Sequence, residues 1–533
     1  MKNTKLMESP VNKTFEEILV MDDDSFTQWV IDLRETVVDL WDNEGLPPKV
    51  GYSKEEIIDN FKKMIAYPVN EIEIEKDVIR NTTILGNAVN EWFPTMMKTK
   101  ISYSSKGNAK SIYDYFKEPD LLETFITYAK RHFKRDSFYH YSNPISVGDV
   151  LTFGQKPYVV TTPEEFRDWF EKNGMRNKSE YDYWLCPVKE KSAYSGYNTD
   201  LSKKQNLFVD GDFKAPRRCK TNVDKTRSNK YSIRLYKRGQ KLFPIGLKAF
   251  RVSFCQYAVN FPPLTARYLY ERFTKHIPKN SQVYIYDPSM GWGGRLVGAL
   301  SSTLDRNVCY VGTDPNTDHN ISHGVTKYHQ IGEFFNKNVR ISGSLFGRHH
   351  KFDIFQDGSE VISENPKFQK YKGKLDLVFT SPPYFNKEVY SDDEEQSCHK
   401  FENYEAWRDG FLKPTLATCV EYLKHDRYLL WNIANIVLAG NMLPLEEDSK
   451  KILEDLGMQY VTTIKMTLAQ MPGSNRLEET GEIESVRINT VFGEITKEVP
   501  VTKGQMKNFV KIKDKKNKNM MLKYEPIFCY YKP

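Results

Sequence analysis

The stretch VYIYDPSMGWGGRLVGAL, residues 283–300, decides the fold of this chain. It begins as an apolar run of strand length that ends at Asp287, turns through Gly291, Gly293 and Gly294, and continues as a helix-length segment. A tight passage from strand to helix needs unusual backbone angles and lets a ligand approach the backbone, and glycine permits both. Taken alone, such a turn also suits simple packing or NAD binding. The stretch therefore predicts one strand-turn-helix unit, with cofactor binding and packing both open.

Apolar runs of strand length recur outward from this unit, separated by helix-length segments such as residues 401–426. Strands that alternate with helices are typical of a largely parallel sheet whose two faces are covered by helices. We therefore predict an α/β fold with a doubly wound, Rossmann-like sheet. The predicted strands are 283–287, 307–314, 375–381, 427–433, 458–466 and 524–532.

The rest of the chain differs in pattern. Residues 1–140 are predicted to be mainly helical, with a capping box at Ser53 and Glu56 that opens an amphipathic segment. Residues 141–250 break into short β-like runs and then become strongly basic, which predicts an α+β region. We accordingly predict three units, 1–140, 141–250 and 251–533. The lysine-rich segment 511–521 is predicted to be a mobile loop.

Composition excludes several classes of protein. The chain has 533 residues, is 39% hydrophobic and 28% charged, and nowhere approaches the ~18 uninterrupted apolar residues that a membrane span needs. Its first residues lack the apolar core of a signal peptide, and its seven cysteines are scattered without a C-x-x-C pair. We expect a cytoplasmic protein with no metal site. The cysteines are Cys186, Cys219, Cys255, Cys309, Cys398, Cys419 and Cys529.

Positive charge is concentrated between residues 214 and 251, although the net charge of the chain is only +7. This stretch holds a single acid, Asp224, and interleaves lysines and arginines with aromatic side chains. Such a combination suits a phosphate backbone and unstacked bases better than a merely solvated surface, which stays the alternative. The candidate nucleic-acid contacts are Arg217, Arg218, Lys220, Arg227 and Arg234.

A second acidic strand end follows the first. The predicted strand 307–314 ends at Asp314, at about the distance from the glycine turn at which an acid binds ribose hydroxyls. An ordinary acidic strand end or a helix cap is the alternative. We expect Asp314 to be a ribose ligand.

The segment LDLVFTSPPYFN, residues 375–386, carries the second motif. Two consecutive prolines after an apolar strand stiffen the chain and leave carbonyls that no neighbouring N–H of that segment consumes. The Ser381 hydroxyl and the Pro382 carbonyl then accept hydrogen bonds from an amino group, and Tyr384 offers a face on which a base stacks. Because ligands bind where the strand order of a doubly wound sheet reverses, we expect Gly291 and Ser381 to face one crevice.

These motifs resemble those of the DNA amino-methyltransferases, which transfer a methyl group from S-adenosylmethionine to adenine N6 or cytosine N4. The family's cofactor motif Asp-Pro-Phe-x-Gly-x-Gly is similar to residues 287–293, with Ser289 in place of Phe, and its catalytic motif is similar to Ser381-Pro382-Pro383-Tyr384. The segment 261–273 resembles the one that closes over the methionine end, and 354–362 resembles the acidic turn near the adenine. The resemblance covers roughly residues 255–533.

The resemblance implies a class I methyltransferase fold, S-adenosylmethionine as cofactor and double-stranded DNA as partner, in the manner of a restriction-modification enzyme that flips its target base. The implied cofactor-binding residues are Asp287, Pro288, Gly291, Gly293, Asp314, Asp357 and Phe261. Ser381, Pro382, Pro383 and Tyr384 are implied to be catalytic, and serine in the first place favours cytosine N4 over adenine N6. An RNA methyltransferase, or an inactive nucleic-acid-binding protein, stays an alternative.

Two further groups of residues bear on the site. His319 and His323 lie four positions apart, but without a third ligand they favour packing or surface roles over metal binding. The acidic run 392–395 follows the catalytic motif and is predicted to be a mobile solvated loop.

Overall fold

The computed structural model describes most of the N-terminal and C-terminal parts of the chain and, between them, only strand segments. The continuous described ranges are 5–14, 17–18, 21–45, 51–101, 109–130, 241–243, 258–339, 350–438, 441–468 and 519–533, together with residues 47 and 239. The isolated strand segments are Tyr139–His140, Val150–Phe153, Lys156–Val159, Tyr181–Lys189, Asn198–Thr199, Gln205–Asn206, Phe208–Val209, Asp212–Phe213, Tyr231–Lys237, Val486–Thr490, Gly493–Lys497 and Phe509–Lys513.

One large sheet organises the described residues. Nine strands follow one another across it in the order β1-β2-β8-β9-β7-β6-β3-β4-β5, and Phe509–Lys513 pairs with β9 beside this path. The strands are β1 (Glu73–Glu75), β2 (Val78–Arg80), β3 (Gln282–Asp287), β4 (Asn307–Thr313), β5 (Lys351–Phe355), β6 (Leu375–Thr380), β7 (Leu423–Asn432), β8 (Gln459–Thr467) and β9 (Asn519–Lys532).

The pairing directions confirm the predicted doubly wound sheet. Strands β5, β4, β3, β6 and β7 are mutually parallel, whereas β9 runs antiparallel to both β7 and β8. The chain starts in the middle at β3, winds outward through β4 and β5, and then returns to β6 on the other side. The order therefore reverses between β3 and β6, which makes their carboxyl ends the ligand-binding edge of the sheet.

Alternate residues of the central strands point into two different cores. Leu377 and Phe379 of β6 belong to one core, and Val378 between them belongs to the other. The same alternation appears on β9 at Ile527 and Phe528. A strand buried on both faces reads as a continuous apolar run, which is why these strands stand out in the sequence.

Helices supply the other half of each core. Lys54–Ala66, Pro263–Thr274, Gly294–Leu300 and Lys327–Asn338 pack on one face, and Lys413–Tyr422 and Leu445–Asp455 pack on the other. Within the described residues, the other α-helices are Lys5–Glu8, Asp23–Glu44, Ile112–Lys117, Leu122–Ala129, Ser397–Lys400 and Tyr404–Trp407, and a π-helical turn spans Arg408–Leu412. No helix in the described part of the chain combines the length and apolar character that a bilayer-spanning segment needs.

The N-terminal residues divide between two cores. The predicted capping box is confirmed, since Ser53 and Glu56 each bond the other's backbone N–H, and Ile57 and Phe61 enter the core of the sheet. The short strands β1 and β2 extend the sheet beyond β8, with β2 parallel to it. Buried residues of the helices Asp23–Glu44, Ile112–Lys117 and Leu122–Ala129 instead form a separate helical core around Trp29 and Trp41. The predicted boundary at residue 140 stays a prediction.

The prediction of a loop over residues 511–521 is wrong at both of its ends. Residues 511–513 belong to the strand Phe509–Lys513, which pairs antiparallel with β9 from Asn519 onward. The many lysines gave the segment a loop-like composition, while Ile512 and Leu522 are buried.

Candidate active site

The two sequence motifs leave the sheet from neighbouring strands. Residues Ile285 and Tyr286 of β3 lie in parallel register with Leu377 and Val378 of β6. The glycine turn follows the carboxyl end of β3, and Ser381 follows that of β6. Adjacent strands lie about 4.8 Å apart, so both motifs emerge at one edge and at the point where the strand order reverses.

Asp287 joins these two strand ends from beneath. Its side chain is completely buried, and its carboxylate accepts hydrogen bonds from Thr380 Oγ1 at 2.7 Å, from Arg295 Nε at 2.7 Å and from the Tyr310 hydroxyl. Burial disfavours the charge of Arg295, but the adjacent Asp287 outweighs it and raises the Arg295 pKa. Asp287 therefore holds the glycine turn in place and directs no carboxylate oxygen to solvent.

The glycine turn has the backbone that its sequence predicts. Gly291 and Gly293 have φ of 57° and 71°, in the left-handed region that favours glycine. A Cβ at Gly291 would meet nothing within 4 Å, so this part of the turn borders open space. The Pro288 carbonyl accepts a hydrogen bond from Thr313 Oγ1 at 2.8 Å, which ties the turn to the end of β4.

Asn260, which precedes the helix Pro263–Thr274, holds the glycine turn by two hydrogen bonds. Asn260 Nδ2 donates to the Trp292 carbonyl at 2.7 Å, and Asn260 Oδ1 accepts from the Gly294 N–H at 3.2 Å. A Cβ at Gly294 would lie 2.1 Å from the Phe261 carbonyl oxygen, so glycine is required there. Phe261 itself is buried, with its ring edge-on to Phe379 of β6. Asn260 was missed because nothing in its sequence neighbourhood indicates its partners.

Asp314 lies at the end of β4 and faces the glycine turn. Its Oδ2 accepts the Gly291 N–H at 2.9 Å, and its Oδ1 accepts the Asn316 N–H at 3.0 Å. Burial raises the pKa of this carboxyl to about 6, partly opposed by these hydrogen bonds. A carboxylate held at this place is suited to accept hydrogen bonds from the hydroxyls of a ribose.

A buried histidine lies beside Asp314, with His319 Nδ1 at 3.9 Å from Asp314 Oδ1. His319 Nδ1 lies 2.7 Å from the Tyr328 oxygen, and the Tyr328 hydroxyl donates its proton to the Gly291 carbonyl. Burial lowers the pKa of His319 to about 3, so its ring is neutral. His319 is thus packed within the protein, as the sequence favoured.

The acidic turn after β5 closes the far end of this edge. Asp357 Oδ2 accepts a hydrogen bond from Asn365 Nδ2 at 2.8 Å. The neighbouring Gln356 has a buried Nε2 that finds no hydrogen-bond partner among the described residues. A buried amide donor without a partner is costly, and a ligand atom that accepts from it relieves that cost.

The Ser-Pro-Pro-Tyr segment ends in a strained turn. Pro382 is buried, Ser381, Pro383 and Tyr384 are half-buried, and the Lys387 N–H donates to the Tyr384 carbonyl at 3.0 Å. Phe385 has φ of 52°, which a side-chain-bearing residue adopts at a cost of about 1–3 kcal/mol. The strain turns Phe385 into the core beside Tyr404 and Trp407 and away from Tyr384. Backbone strain of this kind concentrates at functional sites.

The acidic run after the motif is solvated as predicted at Asp392, Glu394 and Glu395, which are exposed, whereas Asp393 is anchored. Asp393 Oδ2 accepts a hydrogen bond from Thr317 Oγ1 at 2.6 Å. The buried Gln396 donates from Nε2 to the Ser391 carbonyl at 2.6 Å, and its Oε1 accepts the Tyr390 N–H at 3.0 Å. The strand Glu388–Val389 also pairs with Lys100–Ile101. These contacts fasten the segment above the end of β4.

The predicted nucleic-acid contacts are not brought to this edge by any described contact. Arg217, Arg218, Lys220 and Arg227 lie outside the described residues. Arg234 lies in the strand Tyr231–Lys237, whose pairing is described but whose side chains are not. Their role in binding stays a prediction.

Comparisons with known proteins give structural likenesses only. No protein-family model and no curated protein matches the chain. A "putative DNA modification methylase" of Thermus thermophilus, solved with S-adenosyl-L-methionine, is 21% identical over 33% of this chain and 52% of its own length, with a TM-score of 0.18. The precorrin-6y C5,15-methyltransferase of Geobacter metallireducens is 11% identical over 48% of this chain and 82% of its own, with a TM-score of 0.22.

Another solved structure is a class I S-adenosylmethionine-dependent methyltransferase, also named "putative", from Listeria monocytogenes. It is 16% identical over 51% of this chain and 58% of its own length, with a TM-score of 0.25. The described sheet, with β3 and β6 at its reversal and an antiparallel β9 between β7 and β8, is that of an α/β Rossmann-like fold.

Proposed function

We propose that this chain is a DNA methyltransferase that transfers a methyl group from S-adenosylmethionine to an exocyclic amino group of a flipped base, with cytosine N4 favoured. The observation that carries the proposal is the contact of Thr380 with Asp287, at 2.7 Å. It fixes the strand before Ser381 against the strand before the glycine turn. The glycine turn, which binds the methyl donor, and the Ser-Pro-Pro-Tyr motif, whose oxygens accept hydrogen bonds from the target amine, then line one crevice where the strand order reverses.

The residues at this edge suit S-adenosylmethionine, which supplies an electrophilic methyl group on its sulfonium. The open side of Gly291 allows close approach of the cofactor to the backbone, and Asp314 accepts from the ribose hydroxyls. Phe261 and Asn260 hold the glycine turn in the shape that this binding requires.

The exocyclic amine of the target base is a poor nucleophile because its lone pair is delocalised into the aromatic ring. The Ser381 hydroxyl and the Pro382 carbonyl accept the two amino hydrogens and favour the pyramidal nitrogen whose lone pair attacks. These hydrogen bonds are stronger in the transition state than in the ground state, which is what raises the rate. No strong base is needed before transfer, because the proton leaves after the nitrogen has become cationic. Positioning supplies the rest of the acceleration.

A base inside a duplex is out of reach of this crevice, so it is flipped out at a cost of a few kcal/mol. Stacking on the half-buried ring of Tyr384 offsets part of this cost, since an aromatic–base stack is worth about 1–3 kcal/mol. Phe385 takes no part in the stack, because its ring is buried in the core beside Trp407.

Mass spectrometry of nucleosides tests the proposal directly. Duplex DNA and structured RNA are incubated separately with the protein and labelled S-adenosylmethionine, and we expect N4-methylcytosine from the DNA. N6-methyladenine would assign the other amino group, and labelling of RNA alone would reject DNA as the substrate. Absence of S-adenosylmethionine binding at millimolar concentration would instead identify an inactive nucleic-acid-binding protein.

Two variants test the assigned roles. Ser381→Ala removes one acceptor of the amino group, and Tyr384→Ala removes the stacking face. We expect Ser381→Ala to lower methyl transfer by at least about 100-fold, as loss of one transition-state hydrogen bond does. Tyr384→Ala should lower it by about 5- to 150-fold, as loss of a stack worth about 1–3 kcal/mol does. In both variants the Kd for S-adenosylmethionine should stay within about threefold. Full activity in either variant would contradict its role.

A further inference from the structure

Two tyrosine–glutamate pairs lie beside the crevice, and neither glutamate has a role in the reaction described above. The Tyr384 hydroxyl donates to Glu525 Oε1, and the Tyr390 hydroxyl donates to Glu388 Oε2. Both tyrosines are half-buried and belong to the segment that follows the proline pair. The glutamates come from different elements, one from the last strand of the sheet and one from the strand Glu388–Val389.

The first pair lies on the side of the catalytic motif. Glu525 is on β9, where Ile527 lies opposite Asn432, the last residue of β7. Because β9 runs antiparallel to β7, Glu525 lies just beyond the carboxyl end of β7, at the ligand-binding edge. Tyr384 directly follows Pro383, so Glu525 connects the ring expected to stack on the base to the framework of the sheet.

The second pair lies on the side of the glycine turn. The Tyr390 ring is edge-on to Trp292, with ring centroids 5.5 Å apart, and Trp292 is the residue between Gly291 and Gly293. The Tyr390 N–H donates to Gln396 Oε1 at 3.0 Å. Glu388 lies opposite Ile101, where the strand Glu388–Val389 pairs with Lys100–Ile101. Glu388 therefore connects the Tyr390 ring to the N-terminal part of the chain.

The two carboxyls are largely buried, and each has charged neighbours: Lys523 and Glu388 act on Glu525, and Lys387 acts on Glu388. Burial raises the pKa of Glu525 and of Glu388, and the hydrogen bond from each tyrosine opposes that shift. Burial raises the pKa of the Tyr384 and Tyr390 hydroxyls well above the ordinary value, so both remain hydrogen-bond donors at neutral pH. A buried acceptor that met no such donor would pay a desolvation cost, which makes each pair mutually dependent.

We propose that Glu525 and Glu388 are neighbouring positioning residues that serve different ligands, Glu525 by fixing Tyr384 against the target base and Glu388 by fixing Tyr390 over the methyl donor. This inference rests on the proposed function. A phenol ring has two rotatable side-chain bonds, and a hydrogen bond at its far end removes most of that freedom before the ligand arrives. Each pair should therefore affect one ligand and spare the other.

The base side is tested with Tyr384→Phe, Glu525→Leu and the double variant. Tyr384→Phe keeps the aromatic ring and loses only the hydrogen bond to Glu525. We therefore expect kcat on duplex DNA to fall about tenfold, with the Kd for S-adenosylmethionine unchanged. Glu525→Leu should give a similar loss, and the double variant no further loss, because both remove one interaction. Glu525→Gln retains a carbonyl acceptor for the hydroxyl and should recover most of the rate.

The cofactor side is tested with Tyr390→Phe and Glu388→Leu. We expect the Kd for S-adenosylmethionine to rise about tenfold in both, with kcat at saturating cofactor within about twofold of the parent. Tyr113→Phe is the matched control, because Tyr113 donates to Asp42 at 2.5 Å within the separate helical core. It removes the same kind of hydrogen bond and should change neither constant.

The outcomes separate this inference from the proposed function. If the parent protein transfers no methyl group to DNA, the proposed function fails and the role of Glu525 fails with it. If the parent transfers methyl groups but Tyr384→Phe and Glu525→Leu match it, or their losses multiply in the double variant, the positioning role of Glu525 is overturned. A change of kcat without a change of Kd in Tyr390→Phe would overturn the role of Glu388.

Discussion

At the scale of single residues, the carboxyl of Asp314 makes cofactor binding sensitive to pH. Burial raises its pKa to about 6, so this group is protonated at mildly acidic pH, where an ordinary aspartate is not. Only the carboxylate accepts hydrogen bonds from both ribose hydroxyls. We therefore expect the affinity for S-adenosylmethionine to be full above about pH 7 and to decrease as the pH falls through about 6.

Isothermal titration calorimetry between pH 5 and pH 8 measures this effect, with Asp314→Asn as the control. The asparagine lacks the charge at every pH, so we expect a Kd raised by about 10- to 100-fold and independent of pH, given the worth of hydrogen bonds to charged groups. A parent protein whose Kd is flat across this range would remove Asp314 from the ribose site.

The same shift acts on stability in the opposite direction. The folded chain keeps the Asp314 proton up to about pH 6, whereas an unfolded aspartate loses it near pH 3.9. Between these values the folded state binds more protons, so the contribution of Asp314 to the free energy of unfolding decreases as the pH rises. At neutral pH the ionised Asp314 therefore lowers the free energy of unfolding, while it provides a carboxylate at the ligand-binding edge.

The residues that carry these effects differ in how visible they are in the sequence. Asp314 and Ser381 stand at strand ends next to recognisable motifs, and both lie at the predicted edge of the sheet. Asn260, Tyr328 and Glu525 were not predicted, because their partners Trp292, Gly291 and Tyr384 are 32, 37 and 141 positions away. Contacts over such separations depend on the folded topology, which no local pattern encodes.

At the scale of helices and strands, one glycine sets the distance between two helices. A Cβ at Gly298 would lie 2.7 Å from the Pro263 carbonyl oxygen and 2.8 Å from the Ala266 Cβ. Alanine is the better helix former by about 1 kcal/mol, but neither the carbonyl nor the packed alanine has room to move. We expect Gly298→Ala to lower the free energy of unfolding by about 1–3 kcal/mol, as overpacking does.

Urea denaturation followed by circular dichroism measures this loss as a lower midpoint. Lys62→Ala is the control, because Lys62 is exposed on the helix Lys54–Ala66 and loses no packing. Its midpoint should stay within the error of the parent protein's. A midpoint raised by Gly298→Ala would mean that helix propensity outweighs the close contact.

The sequence predicted the central strands to within a few residues, because strands buried on both faces are continuous apolar runs with polar ends. It missed β5 (Lys351–Phe355), whose side chains alternate between charged and apolar, and it also missed β1 and β2, which are three residues long and include the charged residues Glu73, Glu75 and Arg80. It also missed the left-handed backbone of Phe385, since tertiary packing of a phenylalanine, and no local preference, holds that conformation. The misses therefore lie where tertiary contacts override local preference.

At the scale of the whole molecule, residues 51–101 belong to the structure that shapes the crevice. Strand β2 extends the sheet, Phe93 packs against His319 and Tyr328, and Ile101 lies opposite Glu388. The N-terminal part thus buttresses both the Asp314 end and the segment after the proline pair. This explains why a stretch without chemical motifs of its own is joined so closely to the sheet.

The location of charge in the molecule predicts how DNA binding depends on salt. The net charge of +7 is modest, so the basic residues between 214 and 251 should supply the phosphate contacts. Each contact releases counterions, and the slope of log K against log salt changes by about 0.9 per phosphate. We expect the triple variant Arg217→Glu, Arg218→Glu and Lys220→Glu to bind duplex DNA more weakly and to lose about 3 from the magnitude of that slope.

The control is a second triple variant with the same net charge. Lys54→Glu, Lys62→Glu and Lys63→Glu reverse three exposed lysines of one helix, and each set of three reversals takes the net charge from +7 to +1. Fluorescence anisotropy of a labelled duplex at several salt concentrations measures both slopes. If the basic stretch contacts the backbone, only the first variant flattens the slope, because net charge alone acts on both equally. Equal slopes in the two variants would remove residues 217–220 from the DNA interface and leave the reading of DNA to another part of the chain.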